Sequence, residues 1–132
     1  MARTLIITNR KGGTGKTATS VNVAAELAAR GDKVLLVDLD TQGHCALGLG
    51  VKAQKGEPTV HDLFGKGAAL RPAVRETAWE NLHLIPADPL FEHGSGSSNE
   101  LLLAQALQNE GITHRLTTPL FLIPRRHLTF YC

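Results

Sequence analysis

Two short aliphatic runs, Leu5 to Thr8 and Val34 to Val37, show no polar alternation, the pattern of parallel strands covered on both faces. Between them, Lys16 to Arg30 is rich in alanine and sets Val21, Ala24 or Ala25, and Ala28 along one helical face. Gly31 follows, a residue suited to the left-handed position after a helix. This spacing predicts strand, helix and parallel strand, the opening unit of a doubly wound α/β domain with helices on both faces of a mainly parallel sheet. From Gly43 to Gly67 the chain is rich in glycine and turn formers and reads as surface loop, with a short helix over Thr59 to Phe64. Asn81 to Pro86 predicts a third strand, Leu82 and Leu84 pointing one way and His83 and Ile85 the other.

A further helix is expected after Ser97. Ser97 and Glu100 have capping-box spacing, Leu101 to Leu107 supplies apolar surface, and Gly111 sits where a helix would end. The pattern then changes. Gly111 to Cys132 contains Arg115, Arg125 and Arg126 but no Asp or Glu, and Pro119 and Pro124 interrupt any helix. Leu120 to Ile123 is expected to form at most a short edge strand. The chain accordingly divides into an α/β part, residues 1–110, and an atypical tail, residues 111–132, read as frameshifted or disordered.

Composition adds bounds. With 132 residues, 42% of them hydrophobic and 20% charged, the chain can fill one modest core. Fourteen Lys and Arg against 12 Asp and Glu leave +2, too little to point to nucleic acid or a membrane surface by charge alone. No run approaches the roughly 18 apolar residues of a membrane span, and Met1 to Arg10 lacks the apolar core of a signal peptide. Cys45 and Cys132 lie far apart, so a reducing, cytoplasmic setting is expected.

The candidate chemistry begins between the first strand and the first helix, at Lys11-Gly12-Gly13-Thr14-Gly15-Lys16-Thr17. Glycines let backbone amides turn toward an anion, and a helix amino terminus adds partial positive charge. Lys16 can neutralise outer phosphates and the Thr17 hydroxyl can ligate magnesium. The bland alternative is a glycine-rich turn with exposed lysines. A sharper rival is a dinucleotide fingerprint, because Gly13, Gly15 and Ala18 satisfy G-x-G-x-x-A and Asp38 stands where a ribose-binding acid belongs. Lys16 and Thr17 argue against it, since a pyrophosphate bridged between two nucleosides requires neither. After the second strand, Asp38-Leu39-Asp40-Thr41-Gln42-Gly43 places two carboxylates at its carboxyl end, where period-two geometry would face both to one side. His44-Cys45 beside them has no partner set at metal-ligand spacing and reads as loop filling.

The loop lacks the usual glycine five residues before Gly15, having Arg10 there and a second lysine, Lys11. In this it resembles the deviant Walker A loop, K-G-G-x-G-K-T, of the ParA/MinD family of partition and positioning ATPases. Asp38 to Gly43 is similar to that family's D-x-D-P-Q-G, with Thr41 in place of proline, and Leu47 to Val51 continues the likeness. The resemblance implies a P-loop NTPase fold that binds ATP and Mg2+ through Lys11 to Ala18. It also implies that Lys11 reaches a partner's nucleotide in a homodimer and that Thr17 and Asp38 serve the metal. Asp40 would orient the hydrolytic water, with Lys11 and Lys16 acting beside it, and Gln42 would sense the γ-phosphate.

By the same resemblance, members continue past the second helix into an aliphatic strand ending in the Walker B Asp. No Asp follows Asp88 here. The expectation is therefore a truncated amino-terminal fragment with weak or absent ATPase activity. For the parent protein the resemblance implies an ATP-dependent dimerisation switch that partitions plasmid or chromosomal DNA, binds DNA non-specifically and answers to a ParB-like activator. The alternative is a membrane-associated, MinD-like positioning ATPase, which depends on a terminal amphipathic helix that Pro119 and Pro124 disfavour in this tail.

Overall fold

A computed structural model describes residues 5–8, 15–40, 43–51, 55–88, 90, 102–111 and 118–123. The chain opens with strand β1 (Leu5–Thr8), helix α1 (Lys16–Ala29) and strand β2 (Val34–Asp38). Helices α2 (His44–Gly48) and α3 (Val60–Lys66), a 3-10 turn (Arg71–Ala73) and the short strand β3 (Arg75–Glu76) lead to β4 (Leu82–Ile85), α4 (Leu102–Asn109) and β5 (Thr118–Ile123). The five strands form one sheet in the order β1-β5-β2-β4-β3, parallel except for β3, which runs antiparallel to β4.

The two faces of this sheet follow from alternation along β2 and β4. Val34, Leu36, Leu82 and Leu84 point to one side, where they meet Ala24 and Ala28 of α1, Cys45 and Ala46 of α2, and Leu49. Leu35, Val37 and Ile85 point to the other, against Val60 and Leu63 of α3, Leu70, Ala73, and Leu103 and Leu107 of α4. Every residue of β2 is buried, as its unbroken aliphatic run predicts for a strand covered twice. Small side chains on α1 let that helix lie close to the sheet. Gly31, with φ of 95°, closes it in the left-handed region predicted for it.

The predicted helix over Thr59 to Phe64 is α3. Thr59 stands just before it, and its N–H donates to Asp62 Oδ2 at 2.8 Å, tying the first turn. Gly111, with φ of 67°, follows α4 as expected, while the capping pair Ser97 and Glu100 lies outside the described residues. At that end of the molecule the Glu110 carboxylate accepts the N–H groups of Leu70 and Arg71 at 2.8 and 2.9 Å, fastening α4 to the 3-10 turn.

Two expectations are corrected. The stretch after Gly43 is not merely surface loop: it contains α2, whose Cys45 and Ala46, with Leu49 beyond, are buried. Positions 45, 46 and 49 share a helical stripe that the intervening glycines disguise. Gly48 lies against Val21 of α1, at a distance where a Cβ would make an ordinary contact of 3.4 Å. The second correction concerns Leu120 to Ile123, which is no edge strand. β5 lies between β1 and β2, Leu120 being in register with Leu5 on one side and Leu36 on the other. Four apolar residues in a row suit a strand paired on both sides. Pro119, which cannot donate to a ladder, is in register with Leu35 of β2 and precedes the first residue paired with β1.

Candidate nucleotide site

Parallel strands bring their carboxyl ends to one edge of the sheet, and the candidate residues gather there. Gly15 precedes α1 with φ of 80°, a left-handed conformation that an L side chain adopts only with strain. Lys16, Thr17 and Ala18 form the first turn of the helix, where unpaired backbone N–H groups favour an anion. Its wall is secured by Ser20, fully buried, whose hydroxyl donates to the Lys16 carbonyl at 2.8 Å. Lys11, Gly12, Gly13, Thr14 and Gln42 lie outside the described residues.

Asp38 ends β2 and is completely buried. Its Oδ1 accepts the N–H of Asp40 at 3.0 Å, an Asx-type turn that takes the chain out of the strand. Its Oδ2 is buried without a hydrogen-bond partner. Asp40, less buried, points its Oδ2 to within 3.5 Å of Lys16 Nζ. The structure thus joins Lys16, Asp38 and Asp40, three candidates drawn from two separate motifs. The two carboxylates are not equivalent, however, one lying inside the sheet and the other at its rim.

Burial raises the Asp38 carboxyl to about 6, with the Asp40 charge adding to the rise and the Asp40 N–H opposing it. A buried, unpartnered carboxylate oxygen is expensive in a metal-free site and is a suitable donor for a hard cation or its bound water. Asp38 therefore fits magnesium. It does not fit the dinucleotide rival, in which the acid must be accessible to a ribose.

Cys45 is the residue that sequence reasoning passed over. Far from filling a loop, it is fully buried beside Asp38, and its thiol is pushed well up, first by burial and then by the Asp38 charge. Such a thiol is held neutral, and its hydrogen bond to Asp38, with that of its backbone N–H, works against the rise at that carboxyl. The apolar stripe of α2 was the available signal for it.

Comparison with known proteins adds to this geometry. A family described as AAA domain matches residues 2–116. The sporulation initiation inhibitor protein Soj of Bacillus subtilis is 46% identical over 87 residues, 66% of this chain and 34% of that protein. The chromosome-partitioning ATPase Soj of Thermus thermophilus is 42% identical over 114 residues, 83% of this chain and 42% of its own length. The chain thus spans about a third to two-fifths of the curated relatives it matches. Among solved structures, cobyrinic acid a,c-diamide synthase from Mycobacterium smegmatis, with bound ADP and magnesium, superposes with a TM-score of 0.79 at 30% identity. That superposition covers 96% of this chain and 52% of the synthase. Loop, acidic turn and parallel sheet agree with these matches: the chain belongs to the AAA-domain family, within its ParA/MinD-type partition ATPases.

Proposed function

We propose that this chain carries the nucleotide-binding half of a partition ATPase and takes up ATP or ADP with Mg2+ at the loop between β1 and α1. The observation that carries the reading is the convergence of Lys16 with Asp38 and Asp40 at the start of α1. In this reading Gly12, Gly13 and Gly15 turn backbone amides to the phosphates, Lys16 neutralises them, and Ala18 is small enough to leave the turn open. Thr17 and Asp38 hold the cation, which supplies charge neutralisation on the phosphates. Asp40 orients the water, positioning rather than covalent chemistry.

In the parent protein, Lys11 reaches the nucleotide of a second copy and Gln42 reports the γ-phosphate, so that ATP closes a homodimer. That dimer binds DNA without sequence preference and is released by a ParB-like activator in the cytoplasm. Relatives named as chromosome-partitioning proteins support this cargo. No helix among the described residues is long and apolar enough to cross a membrane, and the MinD-like alternative, which rests on a surface-lying helix, stands beside the proposed reading.

Equilibrium dialysis against ADP, with magnesium or with chelator, tests the assignment. Wild type should retain more ADP with magnesium, and Thr17→Ala should lose that difference while keeping metal-free binding. Equal retention by both proteins under both conditions would remove Thr17 and the cation from the site.

A further inference from the structure

The ion pair between Lys16 and Asp40 links two groups assigned to different tasks, one to the phosphates and one to water. Their charged atoms stand 3.5 Å apart, and only 11% and 18% of the two side chains is exposed. At that burial the pair is poorly screened by solvent, unlike an ordinary surface ion pair. Both partners are held from behind. Lys16 is the first residue of α1, and Asp40 is tied through its N–H to the buried Asp38 carboxylate.

A nucleotide entering this site meets a lysine whose charge is already compensated. An ammonium has three donors and a compact charge, and it can exchange one anionic oxygen for another without leaving its place. Building on the nucleotide-binding reading above, we propose that Asp40 is the resident counter-ion of Lys16 before nucleotide arrives. A nucleoside polyphosphate takes its place at Lys16 and so releases the Asp40 carboxylate for its work on water. Phosphate arrival and readiness of the water-orienting group are then a single event. The contact also lowers affinity for any polyphosphate by the free energy of the pair, so the empty site is guarded against weak anions.

The test uses the whole chain in two measurements. In urea unfolding without nucleotide, Lys16→Met and Asp40→Asn should be non-additive, the coupling changing the unfolding constant by about three- to tenfold. In ADP titrations with chelator, Asp40→Asn should bind about three- to tenfold tighter than wild type, and Asp40→Glu within about twofold of it. The gain from Asp40→Asn should shrink below about twofold in a Lys16→Met background, which separates exchange at Lys16 from general repulsion between Asp40 and phosphate. Additive unfolding effects, or a gain independent of Lys16, would overturn the proposal. If wild type binds ADP and Asp40→Asn binds it equally, the exchange alone fails. If no variant binds ADP, the phosphate-loop assignment fails with it, and a non-additive unfolding result would then mark a static ion pair.

Discussion

β2 and β5 lie side by side in the middle of the sheet, parallel and in register from Val34 opposite Thr118 to Asp38 opposite Leu122. Both are built from unbroken apolar runs, and both direct their carboxyl ends to the edge where Lys16 waits. Yet β2 ends in Asp38-Leu39-Asp40, whereas β5 runs out through Leu122-Ile123-Pro124-Arg125 with no carboxylate. In the function proposed above, β2 brings the carboxylates assigned to the cation and to water, and the sequence after β5 offers no acid to match them. Apolar continuity decides where a strand lies, and the two or three residues after it decide what chemistry it brings. On the proposed reading, a site with acids from β2 alone is expected to hold phosphate better than it hydrolyses it.

The largest expected effect tests whether β5 is as central as its pairing implies. A chain ending at Gly111 leaves β1 and β2 without the strand between them. Its loss should exceed the roughly 5 to 15 kcal/mol that stabilises a whole domain. Circular dichroism should then show no cooperative urea transition, whereas an unchanged midpoint would make β5 an appendage.

Hydrolysis comes next. With no acid after β5, phosphate release should lie near background, at least about a hundredfold below a chain that carries that carboxylate, because groups acting as a unit are lost together. Pro124→Asp supplies a carboxylate where β5 ends. A rise in magnesium-dependent phosphate release in that variant would sharpen the contrast between the strands, and steady turnover by wild type would break it.

Asp38 allows a test by pH in metal-free buffer. Its folded value of about 6 lies above its ordinary 3.8, so the folded chain takes up the proton first. The cost of the ionised group is therefore present above about 6 and disappears as pH falls toward 3.8, making wild type more stable on mild acidification. Asp38→Asn should flatten that profile and gain up to about 3 kcal/mol at neutral pH. A variant that is less stable than wild type at neutral pH would show that the carboxylate is satisfied in some other way. Smaller still is Gly15→Ala, whose positive φ should cost about 1 to 2 kcal/mol of stability and weaken phosphate binding with it. A Gly15→Ala protein with unchanged melting temperature would deny the left-handed turn.

Much of this contrast was legible in the residues themselves. The runs at Leu5, Val34 and Leu82 read as parallel strands because nothing polar interrupts them, and α1 read as a helix from its alanine face and the glycine after it. The loop lysine and the acid pair were visible as motifs. The partnership between them was not, because it depends on Asp40 leaving the strand through a turn onto the Asp38 carboxylate, a tertiary detail. α2 was hidden by Gly48 and Gly50, which broke the apolar stripe of Cys45, Ala46 and Leu49 in the sequence. β5 was misjudged because Pro119 argues against a central strand by rule, and only the register shows that this proline falls before the pairing with β1 begins.

Isothermal titration of wild type and Lys16→Ala with magnesium ATP, and of wild type with NADH, tests the central claim most directly. Saturable heat for wild type with magnesium ATP, weakened at least about tenfold by Lys16→Ala and absent with NADH, is the result expected of a phosphate loop. Equal heats for wild type and Lys16→Ala, or binding of NADH in preference to ATP, would contradict it.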